Sequence, residues 1–192
     1  MLSLAKLISK YQKHKQTKIL IYQMGKVGST SIQNSLIKLG YQSFHVHSFY
    51  KPIDTMFNYQ SNKYFINRRY ILWFKCRFFI FRQIYHRQKN IKIITLVRDP
   101  IARNISMFFQ NLIFCLADYH KLDSQLEIED TMHFLLASFF RNLDMSYCLD
   151  WFNKEIKRMF HVDVLACDFP RREGYHVIKG KKIDLLVLKM EN

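Results

Sequence analysis

Twice in this chain a short apolar run stops at a sharp turn and passes directly into a helical pattern. Residues 18–23 (KILIYQ) lead into Gly25 and Gly28, and residues 91–97 (IKIITLV) lead into Arg98-Asp99-Pro100. Apolar runs of this length, rich in β-branched residues and bounded by turn residues, predict buried strands. Beyond the first turn, Ile32, Leu36, Ile37 and Leu39 mark a helix face that Gly40 ends. Beyond the second, Asp99 suits an N-cap and Pro100 a first helical position, with a helical pattern from 101 to about 116. Strands alternating with helices predict an α/β domain, three layers deep, with a mostly parallel central sheet. Ligands of such sheets bind beyond the carboxyl ends of the strands.

The rest of the chain fits one domain over residues 1–192. Residues 41–47 and 183–189 read as further strands, as do 162–167. Helices are expected at 127–143 and from near Asp150, where Trp151, Ile156 and Phe160 share one side. No repeat, linker or low-complexity tract divides the chain. Apolar residues make up 49% of it, which excludes wholesale disorder. Four scattered cysteines without a CxxC pair speak against a disulfide framework or a zinc site. No signal peptide or run of about 20 apolar residues is visible, so the expected location is the cytoplasm, with peripheral membrane contact as a variant.

Thirty basic against fifteen acidic residues give a net charge of +15. Such a balance favours anionic partners, whether nucleic acid, acidic lipid or a polyanionic small molecule, and does not choose among them. The segment 64–88 concentrates this character, with six Lys and Arg among Trp73, Phe74, Phe78, Phe79 and Phe81. It reads as a core helix with a basic outer face. A groove for a polyanionic glycan, a nucleic-acid surface and a membrane-attachment face are the competing readings.

Chemistry is concentrated at the two turns. The first runs Gln23-Met24-Gly25-Lys26-Val27-Gly28-Ser29-Thr30-Ser31. N–H groups at a helix start lack intrahelical partners, carry partial positive charge and bind anions. Gly25 and Gly28 allow the backbone to approach an oxyanion, Lys26 adds a full charge, and Ser29, Thr30 and Ser31 add hydroxyls. An ATP-type Walker A loop needs Lys directly before Ser or Thr, whereas Val27 follows Lys26 here. The plain alternative is a strand-to-helix turn with a polar cap. At the second turn, Arg98 ends the strand and Ser106 follows eight residues later, about two helical turns on. Together they suit bidentate capture of a phosphate, with Arg103 and Asn104 nearby. The plain alternative pairs Arg98 with Asp99 or makes it a helix cap.

Taken together, the two motifs resemble the donor site of sulfotransferases: a KxGST loop for the 5′-phosphosulfate, then Arg and Ser for the 3′-phosphate. The wording YQMGKVGSTSI, HVHSF, LVRDPIARNISMFFQN and LDWFNKEIKRMFHVDV is similar to a bacterial family of capsular polysaccharide synthesis proteins, which are sulfotransferase-like. The resemblance implies a P-loop sulfotransferase fold. It implies the donor PAPS (3′-phosphoadenosine-5′-phosphosulfate), a carbohydrate acceptor and no metal. By position, Lys26 would meet the bridging oxygen of the leaving group. Gly25, Gly28, Ser29, Thr30 and Ser31 would cradle the 5′-phosphate, and Arg98 and Ser106 would hold the 3′-phosphate.

Sulfuryl transfer needs a base for the acceptor hydroxyl. His45 and His47, two apart on an extended segment, share one face. His47 is preferred, with His45 and Asp54 as substitutes and surface or supporting histidines as the plain alternative. The resemblance also has a gap. Sulfotransferases continue beyond the strand at 183–189 with helices and a basic closing loop, and Lys179-Gly180-Lys181-Lys182 precedes that strand. A shortened carboxyl-terminal part is therefore expected. It keeps a non-catalytic nucleotide- or glycan-binding module in play, and an ATP-dependent P-loop kinase stands as a separate alternative to the sulfotransferase.

Overall fold

The computed structural model describes residues 19–50, 90–112 and 127–191. The expectations for Asp54, 64–88 and 113–116 lie outside them. Five strands form one sheet: β1 (Ile19–Tyr22), β2 (Ser43–Val46), β3 (Ile91–Val97), β4 (Tyr175–Lys179) and β5 (Ile183–Lys189). Their spatial order is β2-β1-β3-β5-β4. All neighbours run parallel except β4, which is antiparallel to β5. The α/β expectation with a mostly parallel sheet thus holds.

Between the strands stand α1 (Ser29–Lys38), α2 (Pro100–Gln110), α3 (Ile128–Asn142) and α4. The last begins at Tyr147–Trp151, widens into a π-helical stretch at Phe152–Lys157 and closes with Arg158–Phe160. Asp99 caps α2 as expected, accepting from Ala102 N at 2.8 Å, with Pro100 in the first turn.

Chain order along the sheet reverses direction at β1. Its outgoing connection leads to β2 on one side, while β3 lies on the other and leads on toward β5. The crevice beyond the carboxyl ends of β1 and β3 is therefore the switch point at which open α/β sheets bind ligands. Both sequence motifs emerge there.

Residues of all four parallel strands share a core with α4. Leu20, Tyr22, Phe44, Ile93 and Leu185 pack with Trp151, Phe152, Ile156 and Phe160. The buried positions of α4 recur three to four residues apart, as on one face of a helix. Around Tyr22 the rings of Phe49, Trp151 and Phe160 stand 4.9, 5.2 and 6.0 Å away, tilted or edge-on, the arrangement aromatic quadrupoles favour.

One sequence expectation is corrected. Residues 162–167 form a turn rather than a strand. The Asp163 carboxylate accepts from Leu165 N at 3.2 Å, an Asx-type turn that competes with extended pairing, and Lys157 holds the same carboxylate. The strand that does lie in this region is β4, which joins β5 through Gly180-Lys181-Lys182. Gly180 N donates to Ile183 O at 2.8 Å. A Cβ at Gly180 would stand 2.8 Å from Ile183 Cγ1 and 3.1 Å from Val162 Cγ2, so the close approach demands glycine.

Candidate functional site

The loop from β1 to α1 makes a tight left-handed passage. Lys26 has φ 72° and Gly28, the N-cap of α1, has φ 84°. That region costs an L-residue about 1–2 kcal/mol, so Lys26 sits under strain that glycine at its place would relieve. No side chain caps α1, and its first turn holds no acidic residue. The contrast with α2, closed by Asp99, is direct: the first helix start keeps its positive end for an external acceptor. Ser29 is buried at the base of the loop, Lys26 is half-buried, and Thr30 and Ser31 are exposed.

Two arginines brace the loop from behind. Arg98, leaving β3, donates from Nη1 to Lys26 O at 3.0 Å. Arg103, on α2, donates from Nε to Gly25 O at 3.1 Å. In a planar trans peptide the carbonyl and the following N–H point opposite ways. The N–H groups of Lys26 and Val27 therefore face away from the guanidiniums, on the side where an oxyanion would have to lie. Arg103 is fully buried, shares Nη1 with Asn104 Oδ1 at 2.9 Å, and stands over the Tyr147 ring at 5.1 Å. Burial pulls its pKa down, and the nearby Tyr147 and Cys148 oppose that shift.

Arg98 does not pair with Asp99. Its Nε donates to Glu191 Oε1 at 3.1 Å, and the other oxygen of the same carboxylate accepts from Asp99 N at 3.0 Å. Glu191 is delivered by the continuation of β5, where Met190 N donates to Val97 O at 3.0 Å. Ser106 lies half-buried on α2. Among the described residues, Arg98 bonds Glu191 and Lys26 rather than Ser106. Arg98 thus reaches the loop through its bond to Lys26 O.

His47 stands beside the loop entrance, with Nδ1 3.2 Å from Gln23 O. A carbonyl can only accept, so in this contact Nδ1 carries the proton and Nε2 the lone pair. Trp151 Nε1 donates to His47 O at 3.0 Å, fixing the backbone from the α4 side. The His45 and His47 rings lie 4.6 Å apart, nearly perpendicular. Gln23 is fully buried, and its amide has no hydrogen-bond partner among the described residues. An unspent buried amide beside the loop suits a polar ligand there.

Behind His47 lies a buried carboxylate that sequence reasoning passed over. Glu155, 3% exposed, accepts from Tyr22 Oη, from Ser48 Oγ at 2.6 Å, and from Phe49 N at 2.9 Å. Burial, and then the negative charge of Glu155, raise the Tyr22 pKa well above its ordinary value. The available signal was an acidic residue four after Trp151, on the apolar side of the helix.

Among the described residues, no group of three or more His, Cys, Asp or Glu could hold a metal ion, and no helix is long and apolar enough to cross a membrane. Comparisons with family models, with curated proteins and with solved structures find no match.

Proposed function

We propose that this chain is a PAPS-dependent sulfotransferase acting on a carbohydrate hydroxyl, with the sulfotransferase-type P-loop fold. The observation that carries the reading is the 3.0 Å bond from Arg98 to Lys26 O. It joins a strand–loop–helix anion cradle and a strand-end arginine at the switch point of a mostly parallel sheet. The open end of α1 and the unspent Gln23 amide fit a phosphorylated ligand.

PAPS, when bound, supplies the sulfuryl group and a bridging oxygen as its leaving atom. Lys26 offsets the negative charge that grows on that oxygen. Gly25, Gly28, Ser29, Thr30 and Ser31 line the 5′-phosphate cradle, and Arg98 and Ser106 hold the 3′-phosphate. His47 takes the acceptor proton at Nε2, while its Nδ1–H stays on Gln23 O. His45 is the substitute base. No step requires a metal. The carbohydrate acceptor rests on the resemblance alone.

Calorimetric titration with PAP (adenosine 3′,5′-bisphosphate), with ATP plus magnesium as control, tests the reading. Selective PAP binding is expected, and Arg98→Ala is expected to weaken it by about 10- to 150-fold, the worth of charge-assisted bonds to a phosphate. ATP–magnesium binding in place of PAP would turn the assignment to a kinase. Equal PAP affinity in the variant would remove Arg98 from the site. A second reading, a nucleotide-binding module without turnover, draws on the Glu191 carboxylate that occupies Arg98. PAP binding with no sulfuryl transfer to any glycan acceptor would favour it.

A further inference from the structure

Arg98, assigned to the 3′-phosphate, already holds an anion. Glu191 offers one oxygen to Arg98 Nε at 3.1 Å and the other to Asp99 N at 3.0 Å. This is the geometry in which a guanidinium and a main-chain N–H grip two oxygens of a phosphate. The carboxylate is 41% exposed and the arginine side chain 23%, so the pair sits at the rim, within reach of a ligand from solvent. Arg98 Nη1, meanwhile, is fixed on Lys26 O. The acidic side chain is thus coupled through one guanidinium to the loop that cradles the 5′ end.

We propose that Glu191 is an internal competitor, a carboxylate that stands in for the 3′-phosphate on Arg98 and lowers the affinity for 3′-phosphorylated nucleotides, which must displace it. The inference rests on the PAPS reading of the site. An exposed ion pair of this kind is worth little, about 0–1 kcal/mol, so it can be exchanged. A phosphate dianion offers Arg98 more charge and more acceptor oxygens than a carboxylate. A nucleotide with a bare 3′-hydroxyl offers neither and leaves Glu191 in place. The contact therefore costs PAP, which must break it, and spares AMP, so it tunes how tightly the 3′-phosphorylated donor and product are held.

Glu191→Gln separates the roles. The amide oxygen still accepts from Asp99 N, so the backbone contact survives, while the charge on Arg98 is released. PAP and AMP, which lacks the 3′-phosphate, are titrated into wild type and variant, with a melting curve for each. PAP is expected to bind the variant about two- to fivefold more tightly, from relief of competition between carboxylate and phosphate. AMP affinity and the melting temperature should stay unchanged. PAP binding to the variant alone would show the same competition in stronger form. Equal or weaker PAP binding by the variant, or an equal gain for AMP, overturns the inference while the donor site stands. PAP binding to neither protein overturns both.

Discussion

Lys26→Ala is expected to lower sulfuryl transfer by about 10²- to 10³-fold, the cost of removing one group that stabilises charge in the transition state. PAP affinity should change by no more than about threefold, because PAP lacks the sulfuryl group whose departure loads the bridging oxygen. Alanine is the proper replacement on structural grounds. Lys26 holds φ 72°, and alanine meets the same backbone strain there, so the loop is neither loosened nor further taxed. Its brace, the carbonyl bonded by Arg98, belongs to the main chain and remains. Steady-state turnover with a glycan acceptor, alongside PAP calorimetry, reads the two quantities separately. Losses of equal size in both would mean that Lys26 only binds, and the leaving-group role would be lost.

The second large effect concerns stability. Glu155→Ala should cost about 3–5 kcal/mol, since it strands several buried donors at once. Tyr22 Oη, Ser48 Oγ and Phe49 N all lose their acceptor, and Tyr22 is fully enclosed. In a domain of this size the melting temperature should drop by roughly 10 °C or more. Glu155→Gln keeps one acceptor oxygen but turns an NH₂ toward groups that donate, so an intermediate loss is expected. Thermal melts of the two variants beside wild type decide the point. A drop of less than about 2 °C for the alanine variant would mean that the segment after β2 is held by other contacts. Because that segment carries His47, the Gln variant should also disturb turnover more than PAP binding.

The parts of the fold readable in the sequence were those governed by local pattern. The run at 91–97 is mostly apolar and bounded by Arg98-Asp99-Pro100, and β3 follows it residue for residue. Asp99 and Pro100 start α2 by their own local chemistry. The run 162–167 looked equally extended, but one carboxylate, Asp163, turned it by bonding two residues ahead. β4 escaped notice because it is a short edge strand with exposed alternate positions, so it lacks a continuous apolar signal.

The site divides along the same line. The loop, Lys26 and Arg98 belong to two strand ends, and parallel pairing of β1 with β3 brings such ends together. Glu191 and Glu155 reach their partners across 93 and 133 positions, to Arg98 and Tyr22 respectively. No local spacing encodes contacts of that range. Arg103 was visible as a residue near the motif, but its burial under the loop depends on Tyr147 and on the packing of α2.

The late position of β5 shapes how the molecule comes together. β1, the loop after it, β2 and β3 all precede residue 98, yet the edge of β3 away from β1 pairs with β5. On the ribosome, a nascent chain emerging in order displays that edge, seven residues of mostly apolar strand, until the closing hairpin arrives. Long-range parallel pairing is slow, and an uncovered apolar edge invites association with other chains. Protection of that edge during synthesis, by a chaperone or by low temperature, should therefore raise the yield of folded protein more than protection of the finished molecule.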